Sequence, residues 1–116
     1  MKPITSKVLI EDLRELIEVV RQVNSALVLL YWRIGQRIRQ DILNEKRADY
    51  GEQIVSAVSR ELAAEFGQGF SEKNLWHMIR FVEVFPNEEI VSALRRQLSW
   101  THFRLIIYLF VRIRFF

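Results

Sequence analysis

Six residues whose side chains can contact a nucleic acid crowd into the ten-residue run SEKNLWHMIR: Ser71, Lys73, Asn74, Trp76, His77 and Arg80. Lys73, Trp76 or His77, and Arg80 recur at helical spacing, so one helix face would carry them together. Asn can read adenine, Arg can read guanine, and a helix N-terminus with a Ser hydroxyl can hold a phosphate. The same residues also suit a capped surface helix, with Asn74 bonded back to the backbone and Trp76 packed sideways. Glu72, at the head of this face, works against tight phosphate binding. A second basic concentration gathers Arg33, Arg37 and Arg39 with Lys46 and Arg47. Arg33 and Arg37 lie one turn apart and could follow a phosphate backbone, or else form a solvated face paired with Asp41 and Glu45.

Catalytic chemistry finds no comparable support. His77 and His102 are far apart, with no acid partner at a useful spacing, and a metal site needs three or four converging ligands. None of Asp12, Asp41 and Asp49 is followed by a nuclease-type Glu-x-Lys element. There is no Gly-rich phosphate loop, nucleophile elbow or HExxH. The expectation is a binding protein with no catalytic residue, no metal and no cofactor.

The polar run needs a helix to carry it, and the flanking punctuation supplies one. Ser71 is placed to cap a helix that Pro86 stops, with Leu75, Met78, Ile79, Val82 and Phe85 as its buried stripe. Phe70 and Leu75 can close over the cap as a hydrophobic staple. Ahead of it, Tyr50 to Phe66 forms a helix capped by Asp49, with Ile54, Val55, Val58, Leu62 and Phe66 inward. Gly67 can take a left-handed conformation at its end, and Gly69 loosens the turn. Residues 50–85 thus have the layout of a helix-turn-helix, whose second helix can enter a DNA groove.

Upstream, Leu9, Leu13, Leu16, Val20, Val23, Leu27, Leu30, Ile34 and Ile38 recur at spacings of four and three, close to a heptad repeat. They predict one long helix over about 6–44, with Ser6 as its cap and Glu11, Asp12 and Glu15 complementing its dipole. Gly35 implies a kink or a close packing contact. Ile10, Ile17, Val19, Leu29 and Trp32 fall beside or away from the stripe, so the helix is more apolar than a domain of this size can cover. It is expected to serve as a dimer interface, or alternatively as a central core helix. Downstream, Asn87 opens a short helix with Arg95 and Arg96 near its end, and Ser99 caps a last one with Trp100, Phe103, Ile107 and Phe110 inward, over about 88–114 in all. No strand alternation is present. The expected class is all-α: one helical domain over 1–116, a long N-terminal helix and a helix-turn-helix within a bundle of about five helices.

At 116 residues, half of them apolar and 27% charged, the chain has globular composition. Seventeen Lys and Arg against 14 Asp and Glu give a net charge of +3, compatible with nucleic acid but not requiring it. With no cysteine, disulfides and thiolate metal sites are excluded, which suits a reducing compartment. The acidic residues near the start make a poor signal peptide, and no apolar run reaches the ~18 residues a membrane span needs. A cytoplasmic location without a membrane is expected.

The segments YWRIGQRIRQDILNEKRADYG, YGEQIVSAVSRELAAEFGQGFSEKNLWHMIRFVEVFP and QLSWTHFRLII resemble the N-terminal domain of the YhcG-like family, domain of unknown function 1016. The matching elements are Tyr31-Trp32, Ile34-Gly35, Tyr50-Gly51, Phe66-Gly67, Gly69-Phe70-Ser71, Asn74-Leu75, Met78, Phe81, Phe85-Pro86 and Leu98-Ser99-Trp100 with His102. The resemblance implies a helical module for binding DNA or a partner, ahead of a PD-(D/E)xK-type nuclease domain and near restriction-type defence systems. Such proteins continue past LSWTHFRLII with an acidic, polar stretch, whereas this sequence reads YLFVRIRFF. It therefore looks like a truncated or frame-shifted relative without the nuclease residues. Its apolar Phe110, Val111, Ile113, Phe115 and Phe116 must pack on the domain, join an interface or make the chain sticky.

These readings converge on a DNA-binding helix-turn-helix module, the targeting part of a nuclease-type protein. The expected partners are double-stranded DNA, a second copy through the long helix, and a nuclease or restriction-system subunit. The alternative is a protein-interaction or dimerisation module of a defence complex that makes no direct DNA contact.

Overall fold

The computed structural model describes residues 7–45, 47 and 49–114, and it is all-α. The proposed cap Ser6, the basic Lys46, and Phe115 and Phe116 lie outside the described residues. Helix α1 spans Lys7–Asn44 as one continuous 38-residue element, ~57 Å long at 1.5 Å per residue. Helix α2 (Tyr50–Phe66), a 3₁₀ turn (Gln68–Phe70) and α3 (Glu72–Val84) follow, then α4 (Glu88–Leu94) and α5 (Trp100–Arg114). Among the described residues there is no strand, and the molecule is elongated, 74 × 35 × 24 Å.

Helix α3 lies at the centre and packs on α1, α2 and α5. Its Leu75, Met78 and Ile79 meet Ile38 of α1 and Val55 of α2 in one cluster. Its Phe81 and Val82 meet Val28 and Trp32 of α1, Val91 of α4, and Phe103 and Ile107 of α5 in a second cluster. Trp100 packs against both clusters, 5.0 Å from the ring of Tyr31 and 5.4 Å from that of Phe81.

Gly35 is what allows α1 and α3 to meet so closely. A methyl group there would sit 2.0 Å from the Met78 carbonyl oxygen, so the close contact foreseen for this glycine is present. The face of α1 that meets the body is Val28, Trp32, Gly35 and Ile38. Trp32, expected to lie off the stripe, is buried, and its indole N–H donates to the Phe85 carbonyl at 2.7 Å. Leu9, Leu13, Leu16, Val20 and Val23 of the heptad stripe are all about half exposed or more. The N-terminal half of α1 projects beyond the packed body, with its apolar side uncovered.

Local signals fix the helix ends. Ser71 accepts from the Asn74 amide at 3.2 Å, so the expected cap is present, and Asn87, expected to open α4, does so by accepting from the Glu89 amide at 2.8 Å. Gly67 ends α2 with φ of 97°, a conformation that favours glycine. Phe70 and Leu75 share one cluster, as a staple over Ser71 requires. Other positions depart from expectation. Asp49 makes no side-chain cap; its carboxylate accepts instead from the Gln53 side-chain amide at 2.8 Å. Phe66 is 63% exposed, edge-on to Phe70. On α5, Val111 rather than Phe110 packs on the core, and Phe110 is 50% exposed. Ser99 uses its own N–H and hydroxyl on His102 Nδ1, at 3.1 and 3.2 Å, so the imidazole takes the place a Glu would hold in a capping box.

Candidate nucleic-acid interface

Because three helices surround α3, only one arc of it is left for function. Glu72, Lys73, Arg80 and Glu83 are exposed there, with Trp76 and His77 half-buried between them. Lys73, Trp76, His77 and Arg80 fall on one face because a helix brings positions three, four and seven apart together. Lys73 and Arg80 have no ion-pair partner among the described residues.

This face forms the wall of an open groove of about 870 Å³. Glu52 of α2 contributes to the lining, and Ile107, Tyr108, Val111 and Arg112 of α5 form the opposite side. Arg112 donates to the Tyr108 hydroxyl at 2.6 Å and lies over that ring, which fixes the two side chains relative to each other. His77 Nε2 is buried and has no hydrogen-bond partner among the described residues. Burial, followed by the nearby Arg104, Lys73 and Arg80, holds the imidazole below its ordinary value, so it is neutral at pH 7. A neutral ring can donate or accept at that nitrogen, depending on its tautomer.

The remaining candidates are placed differently. The Ser71 hydroxyl serves the Asn74 amide, and the Asn74 side-chain NH₂ donates to the Gly69 carbonyl. Both polar side chains at the α3 N-terminus therefore hold the turn. Arg33 binds Glu88 at 2.9 Å across to α4, and Arg37 binds Asp41 at 3.4 Å along α1. The groove thus brings together Lys73, Trp76, His77 and Arg80, and not Ser71, Asn74, Arg33 or Arg37.

Two groups escaped the sequence reading. Tyr108 and Arg112 lie one turn apart beside the core stripe of α5, a spacing visible in the sequence, but nothing there indicates that they face α3. In the second, Arg21 of α1 meets Arg95 and Arg96 after α4, with Glu18 alongside. Arg95 donates to the Ser25 carbonyl at 3.2 Å, and its Nε is buried without a partner. Among the described residues no group of three or more His, Cys, Asp or Glu converges as metal ligands, and no helix is long and apolar enough to cross a membrane.

The arrangement defines an all-α domain built on a buried central helix, with a cationic, aromatic groove along its open side. The chain belongs to the DUF1016 N-terminal domain family, which it matches over residues 6–112. It is similar to the Escherichia coli (strain K12) protein named "Putative nuclease YhcG", with 36% identity over 83 residues. That match takes in 71% of this chain and 22% of the relative, so the chain spans about a fifth of the relative's length. No solved structure matches the chain.

Proposed function

We propose that this domain binds DNA through the open face of α3 and is the targeting part of a nuclease-type protein whose catalytic residues lie elsewhere. The reading is carried by Lys73 and Arg80, two cations without acidic partners among the described residues, which flank Trp76 and His77 on the uncovered arc of α3. Cations held this way can neutralise phosphates without first breaking an ion pair. The family and the nuclease in the relative's name support nucleic acid as the partner. Ser71 and Asn74 contribute by fixing the start of α3, and Arg33 and Arg37 sit apart as weaker backbone contacts.

Duplex DNA binding measured at two salt concentrations tests this. Affinity should fall steeply as salt rises, and Lys73→Ala with Arg80→Ala should flatten the slope by about two charge contacts. Unchanged binding by the double variant would remove α3 from the interface.

A dimer built through α1 belongs to the same proposal. Leu9, Leu13, Leu16, Val20 and Val23 form an exposed heptad seam that a second copy of the helix would cover. This seam also supports the second reading, a protein-interaction module without DNA contact. A stable dimer in light scattering with no affinity for DNA at low salt would favour it.

A further inference from the structure

A recognition helix that reads a duplex has to project so that its side chains reach base edges in the major groove. Here Trp76 and His77 are recessed, and α5 stands across from them with Tyr108 and Arg112. A concave site cannot enter a DNA groove, but it can receive something extruded from one.

We propose that the groove between α3 and α5 binds a single unstacked nucleotide, a base flipped out of or unpaired in the DNA held along α3, with its phosphate at Lys73 and Arg80. This rests on the DNA-binding reading and names the feature of DNA that the site takes.

The lining fits that ligand part by part. Tyr108, 55% exposed, and Trp76 offer aromatic surface, on which any base can stack. Ile107 and Val111 form an apolar floor that excludes water from a base's faces. His77 adds its imidazole ring to the same lining beside Trp76. Glu52 places a carboxylate on the lining, an acceptor for an exocyclic amino group. The cations lie on the same lining, so one ligand can satisfy aromatic, polar and cationic parts together. A volume of about 870 Å³ admits a whole nucleotide with room for its neighbours. A paired base inside a duplex offers none of these surfaces, because both its faces are stacked and its pairing edge is occupied.

The test compares two labelled duplexes of the same sequence by fluorescence anisotropy, one fully paired and one carrying a single unpaired purine. The unpaired site should bind at least about five-fold tighter, the lower range for one base stacked on an aromatic ring. Tyr108→Ala should remove that preference, and Tyr108→Phe should keep it. Equal affinity for both duplexes, with binding still dependent on Lys73 and Arg80, would overturn the nucleotide site and leave DNA binding by α3 standing. Failure to bind either duplex would overturn both. The comparison of the two duplexes decides the matter on the unmodified protein, whatever the fate of a variant.

Discussion

Replacing Gly35 by alanine should destabilise the domain, although alanine is the better helix former. In an exposed helix the exchange gains about 1 kcal/mol. At Gly35 the new methyl carbon would stand 2.0 Å from the Met78 carbonyl oxygen, 2.5 Å from its carbon and 3.1 Å from the Ile79 nitrogen. A carbon–oxygen contact is comfortable near ~3.3 Å, so relief needs about 1.3 Å of separation. The obstacle is backbone, and no rotamer change can remove it. Moving α1 off α3 by that distance opens the packing of Trp32 and Ile38 on α3, and a gap of about 1 Å already loses up to half of each contact's dispersion energy. Overpacking of this kind costs about 1–3 kcal/mol and sometimes more. With both clusters strained at once we expect the upper end, a net loss of about 2 kcal/mol after the propensity gain. For a chain of this length that lowers the melting temperature by roughly 8 °C. Urea unfolding followed by tryptophan fluorescence, at one fixed protein concentration, measures it. Gly69→Ala is the control: a methyl group there meets nothing within 4 Å, so the midpoint should hold or rise slightly. A Gly35→Ala midpoint at or above the parent's would show that the α1–α3 crossing is not as described.

Three further outcomes follow from the same geometry. Leu16→Glu with Val23→Glu alters side chains 63% and 54% exposed, so the fold should survive while the proposed dimer dissociates; sedimentation showing a monomeric parent would end the dimer reading. Ser71→Ala removes the acceptor for the Asn74 amide and should cost about 1 kcal/mol of stability; a loss of DNA affinity with no loss of stability would instead give that hydroxyl a ligand. Burial and then the surrounding cations depress the His77 pKa, so the unfolded chain takes up a proton near pH 6.5 before the folded one does. The stability His77 contributes is present above that pH, declines as pH falls toward the folded value and levels off below it. Melting curves at about pH 7.5 and about pH 5.5 should differ less in His77→Gln than in the parent, and an identical difference in both would refute the assignment.

Local chemistry is legible in the sequence at several positions where a residue acts on its own neighbours, though not at Asp49, whose carboxylate takes the Gln53 side chain and caps nothing. Ser71, Asn87 and Gly67 act within a turn, so residue type and position sufficed. The face of α1 was not legible, because apolar residues surround most of its circumference and spacing cannot say which arc meets the body. Trp32 shows this: it lies off the heptad stripe, yet it is 1% exposed. Gly35 held the missing clue, since the arc with the smallest residue is the one a second backbone can approach. Phe81, fully buried, lies outside the predicted stripe of α3, because one stripe describes a helix covered on one side and α3 is covered on three. The candidate site divides the same way. Lys73, Trp76, His77 and Arg80 share a helix and could be grouped from spacing, whereas Tyr108 and Arg112 join them only through tertiary packing.

Because α3 is both the centre of the core and the bearer of the polar face, function and stability can be separated at some positions only. Lys73 and Arg80 are exposed, and their removal leaves both clusters intact. Trp76 packs on the cluster of Ile38 and Met78, so its loss would weaken the fold and the groove together. Tyr108 is the sharper probe, since it lines the groove from α5 and belongs to neither cluster. The same logic applies along α1. One unbroken helix gives Trp32 and Ile38 to the core and Leu9 to Val23 to solvent, with Gly35 pressing it onto Met78. Any partner held by the projecting half is therefore joined to α3 through a continuous helix and a backbone contact, with no intervening loop to absorb a change in angle.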